Sequence, residues 1–166
     1  MKKVILLLIM LNFAGSYAFA QQQVSEKEKK VSYSFINEYG LNAGVSFDAD
    51  PFVEITGVFV NSICFNKKQD LIGIGVGFDL FYVVIVPAFP VFVNYRHYFT
   101  SITNLKPLIN VALGTRINIW GEAGLYSTIA GGFRYKALSF TLGFSMKTFN
   151  DANYFGGAEV KVGYTF

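Results

Sequence analysis

The chain has 166 residues, of which 52% are hydrophobic, 17% aromatic and 15% charged, with 16 glycines. That length allows one domain, and the charged share falls well short of the ~25% usual in a soluble globular chain. Lys and Arg total 14 against 11 acids, and setting aside Lys2 and Lys3 in a leader leaves 12 against 11, too even a balance for a grip on nucleic-acid phosphates. The single cysteine, Cys64, excludes an intramolecular disulfide, and no Cys/His cluster has metal-ligand spacing, so no cofactor is expected.

Residues 1–20 read as a cleaved signal peptide. Lys2 and Lys3 form a positive n-region, Val4 to Leu11 an apolar core, and Ala18-Phe19-Ala20 a small-x-small cleavage site. The core is too short for a membrane-spanning helix, which needs roughly 20 apolar residues. Residues 21–32, beginning QQQVSEKEKK, form a polar N-terminal arm. From Tyr33 onward the hydrophobic pattern has period two, and no stripe of period 3.6 follows. Pro87 and Pro90 interrupt the longest apolar run, Leu80 to Val93, and exclude a helix there. The region 33–166 is therefore expected to be all-β.

Eight strands follow in order: Ser34–Phe47, Pro51–Phe65, Leu71–Tyr82, Ala88–Phe99, Lys106–Ile117, Gly124–Tyr135, Leu138–Phe149 and Phe155–Phe166. In the third, Ile72, Ile74, Val76, Phe78 and Leu80 oppose Gly73, Gly75, Gly77 and Asp79. In the seventh, Leu138, Phe140, Leu142, Phe144 and Met146 oppose Ser139, Thr141, Gly143, Ser145 and Lys147. The eighth sets Ala158, Val160, Val162, Tyr164 and Phe166 against Gly157, Glu159, Lys161, Gly163 and Thr165. One face is lipid-like; the other is small or polar.

A soluble barrel also alternates, with its apolar face inside. Two features favour the inverse. The polar face carries eleven of the sixteen glycines, which make a poor solvent coat but leave room in a narrow eight-stranded lumen. Its charges also nearly cancel: Glu38, Glu54, Asp79 and Glu159 against Arg96, Arg116, Arg134, Lys147 and Lys161. Enclosed charges need partners, so these nine are expected to form one coupled lumen network. The architecture is an eight-stranded antiparallel up-and-down transmembrane β-barrel.

With both termini at the periplasmic side, the turns there are Asn66–Asp70, Ser101–Leu105 and Lys136–Ala137. The outer loops are Asp48–Asp50, Val83–Pro87, Asn118–Ala123 and Asn150–Tyr154. Outward aromatics gather toward the inner ends (Tyr33, Phe35, Phe65, Tyr95, Phe99, Phe133, Tyr135, Tyr164, Phe166). A second set, Phe47, Phe78, Phe89 and Phe155, lies toward the outer ends. Two girdles around an apolar band suit a membrane barrel.

The ending AEVKVGYTF resembles the C-terminal signature of Gram-negative outer-membrane β-barrels, with alternating Ala158, Val160, Val162, Tyr164 and Phe166. The whole region after the leader resembles a small OmpA/OmpX-type membrane barrel, and VNYRHYF followed by KPLINVALG is similar to its fourth and fifth strands. The resemblance implies an outer-membrane location, lipid as surroundings, and reading of the last strand by the barrel-assembly machinery. The short outer loops depart from those of related barrels.

Sharper readings meet simpler alternatives. Gly73-Ile74-Gly75-Val76-Gly77 alternates within a strand, unlike a nucleotide-binding turn. His97, the only histidine, shares the outward register of Tyr95 and reads as a girdle residue. Lipid A deacylases place His and Ser two apart on a lipid-facing strand, whereas Tyr98 and Phe99 follow His97. Cys64 reads as inert packing, the Asn66–Gln69 turn as a solvated cap, and Trp120 as an outer interface anchor. The expected function is a non-enzymatic, monomeric outer-membrane barrel with a structural or surface-interaction role and a plugged lumen; a small channel or a lipid A-modifying enzyme are the alternatives.

Overall fold

The computed structural model describes residues 32–46, 50–65, 69–81, 87–100, 104–149 and 153–166. The leader, nearly all of the polar arm, Phe47, Lys67, Lys68 and most residues of three other loops lie outside them. Eight strands run in chain order: β1 Ser32–Ser46, β2 Pro51–Phe65, β3 Asp70–Phe81, β4 Pro87–Tyr98, β5 Leu105–Asn118, β6 Ala123–Tyr135, β7 Leu138–Phe149 and β8 Asn153–Thr165. Each pairs antiparallel with its sequence neighbour, and β8 returns to β1, closing the barrel.

The register fixes the barrel's geometry. Following paired residues around the wall leads from Ile36 to Val60, Gly75, Phe92, Gly114, Tyr126, Lys147, Phe155 and back to β1 at Ser46. The circuit returns ten residues further along the first strand, so the shear number is ten. With a rise of ~3.3 Å and a strand spacing of ~4.8 Å, eight strands at this shear tilt by about 40°. A twelve-residue strand then climbs about 30 Å, enough for the ~25 Å apolar band of a membrane barrel.

The faces are inside out relative to a soluble protein. Leu41, Ile74, Val93, Leu113, Ile129, Leu142 and Val162 point outward and are each more than half exposed, with Ile74 at 67%. Arg96, Arg116, Lys147, Glu54 and Asp79 are fully buried. Water would reward neither choice; a hydrocarbon surround rewards the first, and mutual pairing permits the second.

The lumen is less uniformly small and polar than the alternation suggests. Ile36, Val58, Val60, Leu71, Phe92, Tyr98, Leu108 and Tyr126 share an inner cluster with Cys64. Glycine makes this possible: a Cβ on Gly75 would fall 2.3 Å from the Phe92 ring, and one on Gly40 2.6 Å from Cγ of Lys161. Large side chains occupy the space their glycine neighbours leave. Phe92 in turn stacks on Tyr126 with centroids 4.9 Å apart.

Phe155 corrects the expected outer girdle. It faces inward and meets Phe52 and Phe81, with centroids 5.5 and 5.2 Å away, as an aromatic lid across the end opposite the termini. Tyr154, one residue earlier, takes the outward position. At the other end the expected girdle is present in Tyr33, Phe65, Tyr95, Phe99, Phe133, Tyr135, Tyr164 and Phe166, all outward and at least 40% exposed. Pro90 faces inward within β4 and removes one ladder donor, and no paired residues are assigned opposite Phe89 or Pro90 on β3.

Candidate functional site: the barrel interior

Three sets of ion pairs occupy the lumen. Beneath the aromatic lid, Glu54 of β2 and Asp79 of β3 face Arg116 of β5 and Lys147 of β7. Lys147 Nζ lies 2.5 Å from Glu54 Oε2 and 3.2 Å from Asp79 Oδ2. Arg116 Nη2 lies 3.0 Å from Glu54 Oε1 and 3.5 Å from Asp79 Oδ2. Asn42 Nδ2 donates to Glu54 Oε2 at 3.1 Å. Arg116 sits over the Phe81 ring at 5.0 Å and Lys147 over Tyr126 at 5.3 Å. Two acids and two bases thus cancel within one layer, and their cations touch aromatic faces where water is scarce.

The second set lies toward the termini. Arg96 Nη2 donates to Glu38 Oε1 across the lumen at 2.6 Å, and its Nε donates to Asn110 Oδ1 at 3.0 Å. Asn94 Nδ2 donates to the same Asn110 oxygen at 2.9 Å, and Ser139 Oγ reaches Glu38 Oε1 at 3.4 Å. The third set is Glu159 with Lys161, two residues apart on one face of β8, at 2.9 Å.

Eight of the nine expected lumen charges therefore meet an opposite charge inside the barrel. Arg134 does not. Half-buried at the mouth, it donates from Nε to the Lys136 carbonyl at 2.6 Å and lies over the Tyr98 ring at 5.2 Å. Closing the barrel sets Gly40 opposite Lys161 and Asn42 opposite Glu159, while Glu38 faces Gly163. The carboxylate of Glu38 instead crosses to β4.

Between the pairs, the Thr56, Ser62, Thr128 and Ser145 hydroxyls and the Tyr126 phenol are buried with no hydrogen-bond partner among the described residues. Buried groups of this kind are commonly met by ordered water.

Sequence reasoning missed one polar site on the outer wall. Asp70, expected in a turn, opens β3 on its outward side, directly opposite His97 of β4. His97 Nδ1 lies 2.6 Å from Asp70 Oδ1, and Tyr95 Oη donates to that oxygen at 2.7 Å. His97 also sets its ring edge-on to Phe99 at 4.7 Å. The signal was available in the short β3–β4 connection, which places residues 70 and 97 at the same end of adjacent strands.

At the far corner, Asn118 Oδ1 accepts from the backbone N–H groups of Trp120 and Glu122, and Gly121 takes a φ of 82°. That turn leaves Trp120 66% exposed at the end of the barrel. Cys64 is buried in the inner cluster.

No protein-family model matches the sequence, and no curated protein matches it either. Solved structures do. Neisserial surface protein A (NspA) superposes with a TM-score of 0.60 at 10% identity, over 83% of this chain and 100% of its own. The outer membrane enzyme PagL superposes with a TM-score of 0.57 at 8% identity, over 76% of this chain and 98% of its own. At such identities the likeness is one of fold, and the fold is the eight-stranded outer-membrane barrel.

Proposed function

We propose that the chain is a monomeric outer-membrane barrel with a structural or surface-interaction role and no enzymatic activity, its lumen closed by paired charges and an aromatic lid. One observation carries this reading: the apolar residues face outward around the wall while four acids and four bases are buried and paired inside it. Outer-membrane lipid covers that wall, and the barrel-assembly machinery engages the C-terminal segment through the outward Ala158, Val160, Val162 and Tyr164 of β8 and the following Phe166.

Two alternatives meet specific obstacles. A channel must pass the layer of Glu54, Asp79, Arg116 and Lys147 and then the lid of Phe52, Phe81 and Phe155. A lipid-modifying enzyme needs a nucleophile beside its histidine, and among the described residues His97 hydrogen-bonds Asp70 and no hydroxyl. Reconstitution in planar bilayers tests the closed lumen. The expected record is a flat baseline for the native chain. Reproducible stepwise conductance without any substitution would replace the plug by a channel.

A further inference from the structure

The charges at the two rims of the barrel differ. At the terminal end, Lys106 is the second residue of β5 and Arg134 is its register partner on β6, while Lys136 stands at the tip of the two-residue β6–β7 hairpin with a φ of 54°. Lys106 and Lys136 are exposed and Arg134 is half-buried. At the opposite end the described charges outside the lumen are Asp50 and Glu122, both acids.

The three cations share a small area and have no carboxylate among the described residues. Arg134 Nε donates to the Lys136 carbonyl and the guanidinium lies over the Tyr98 ring at 5.2 Å, so that among the described residues its two terminal nitrogens meet no carboxylate. Lys136 Nζ rests over the Tyr135 ring at 5.5 Å. Like charges this close repel one another, and an anion seated between them would relieve that repulsion. Arg supplies a fork that fits two phosphate oxygens, and the lysines supply point charges beside it. Asp70, the acid nearest this end on the outer wall, lies on β3 and is held by His97 and Tyr95.

The depth of the patch identifies the anion's source. Tyr135 and Phe133, flanking Arg134 on β6, point outward in the aromatic girdle. Such rings sit at headgroup level. Lys106 and Arg134 stand in the inward register at the rim, and Lys136, resting over the outward Tyr135 ring, carries the patch to that depth, where lipid phosphate lies.

We propose that Lys106, Arg134 and Lys136 form a binding site for the phosphate of an anionic phospholipid in the leaflet at the terminal end of the barrel. The site rests on the membrane reading above. It gives the barrel a lipid preference on one side, which fixes its depth and tilt against that leaflet.

Native mass spectrometry of the full chain in micelles doped with equal amounts of phosphatidylglycerol and phosphatidylcholine tests this. Retained phosphatidylglycerol should exceed phosphatidylcholine, and each of Lys106→Gln, Arg134→Gln and Lys136→Gln should reduce retention about fivefold. Lys106→Arg and Lys136→Arg should restore it, while Asp50→Asn and Glu122→Gln at the other end should change nothing. Equal retention of the two lipids by the native chain, or undiminished phosphatidylglycerol on the triple Gln variant, would overturn the proposal. Displacement of the lipid by millimolar inorganic phosphate would make this a solute site and overturn the lipid assignment. A chain that forms no heat-sensitive compact band in the same micelles would instead refute the membrane reading on which the site depends.

Discussion

Glu38 and Arg96 show what a single pair does inside this wall. Both are buried, 2.6 Å apart, and come from β1 and β4 on different sides of the lumen. Replacing Glu38 by Gln leaves a guanidinium enclosed with a weaker partner and is expected to cost ~3–5 kcal/mol where the site is dry. Combining Glu38→Gln with Arg96→Met should recover much of that loss. A double-mutant cycle on urea unfolding in micelles measures the coupling. The same substitution at Glu38 should add simply to Lys147→Met, because those two residues belong to different sets; non-additivity there would show that the three sets act as one. The residue types in the lumen were legible from alternation and charge balance. Their partners were not, because a side chain crossing a barrel meets whatever the shear places opposite it. Asp70 was hidden for a related reason: its role appears only when β3 and β4 are set in register.

At the scale of a strand, the sequence was far more informative. The strands at Pro51–Phe65 and Leu138–Phe149 have the bounds that periodicity predicts, and the others differ by one or two residues at one or both ends, the expected ends Phe47 and Tyr82 lying outside the described residues. Period two survives in these strands because each residue touches either lipid or lumen, with little in between. β8 is a clear case: Val160 is outward and near the middle of its strand, between buried Glu159 and Lys161. Val160→Arg should therefore cost ~2–4 kcal/mol of folding stability in bilayers. Ser145→Ala on the inward face of β7 should be close to neutral, since that hydroxyl has no protein partner to lose. Equal effects at the two positions, read from unfolding in lipid vesicles, would reverse the assignment of the faces. Gly163→Ala is not a mild control despite its small volume. Its new Cβ would lie 2.6 Å from Glu38 Cγ and Ser139 Oγ. Composition shows that glycine lines the lumen; only the packed structure shows that the space beside it is already taken.

For the whole molecule, the closed circuit with a shear of ten joins these observations. It tilts the strands enough to span an apolar layer and brings Glu54, Asp79, Arg116 and Lys147 from four strands into one layer. Strand number and the inverted faces could be read along the chain. Shear could not, since it depends on the one pairing, β1 with β8, that joins the two ends of the sheet. The central claim is that this closed wall faces lipid and its charges face inward. Electrophoretic mobility in dodecyl sulfate, before and after heating, tests that claim most directly. Barrel closure leaves no free edge from which to unzip, so the unheated protein should run as a compact band that shifts to 18.5 kDa, or to the mass left after leader cleavage, only on heating. A single band of unchanged mobility, heated or not, from protein reconstituted in lipid would contradict the account.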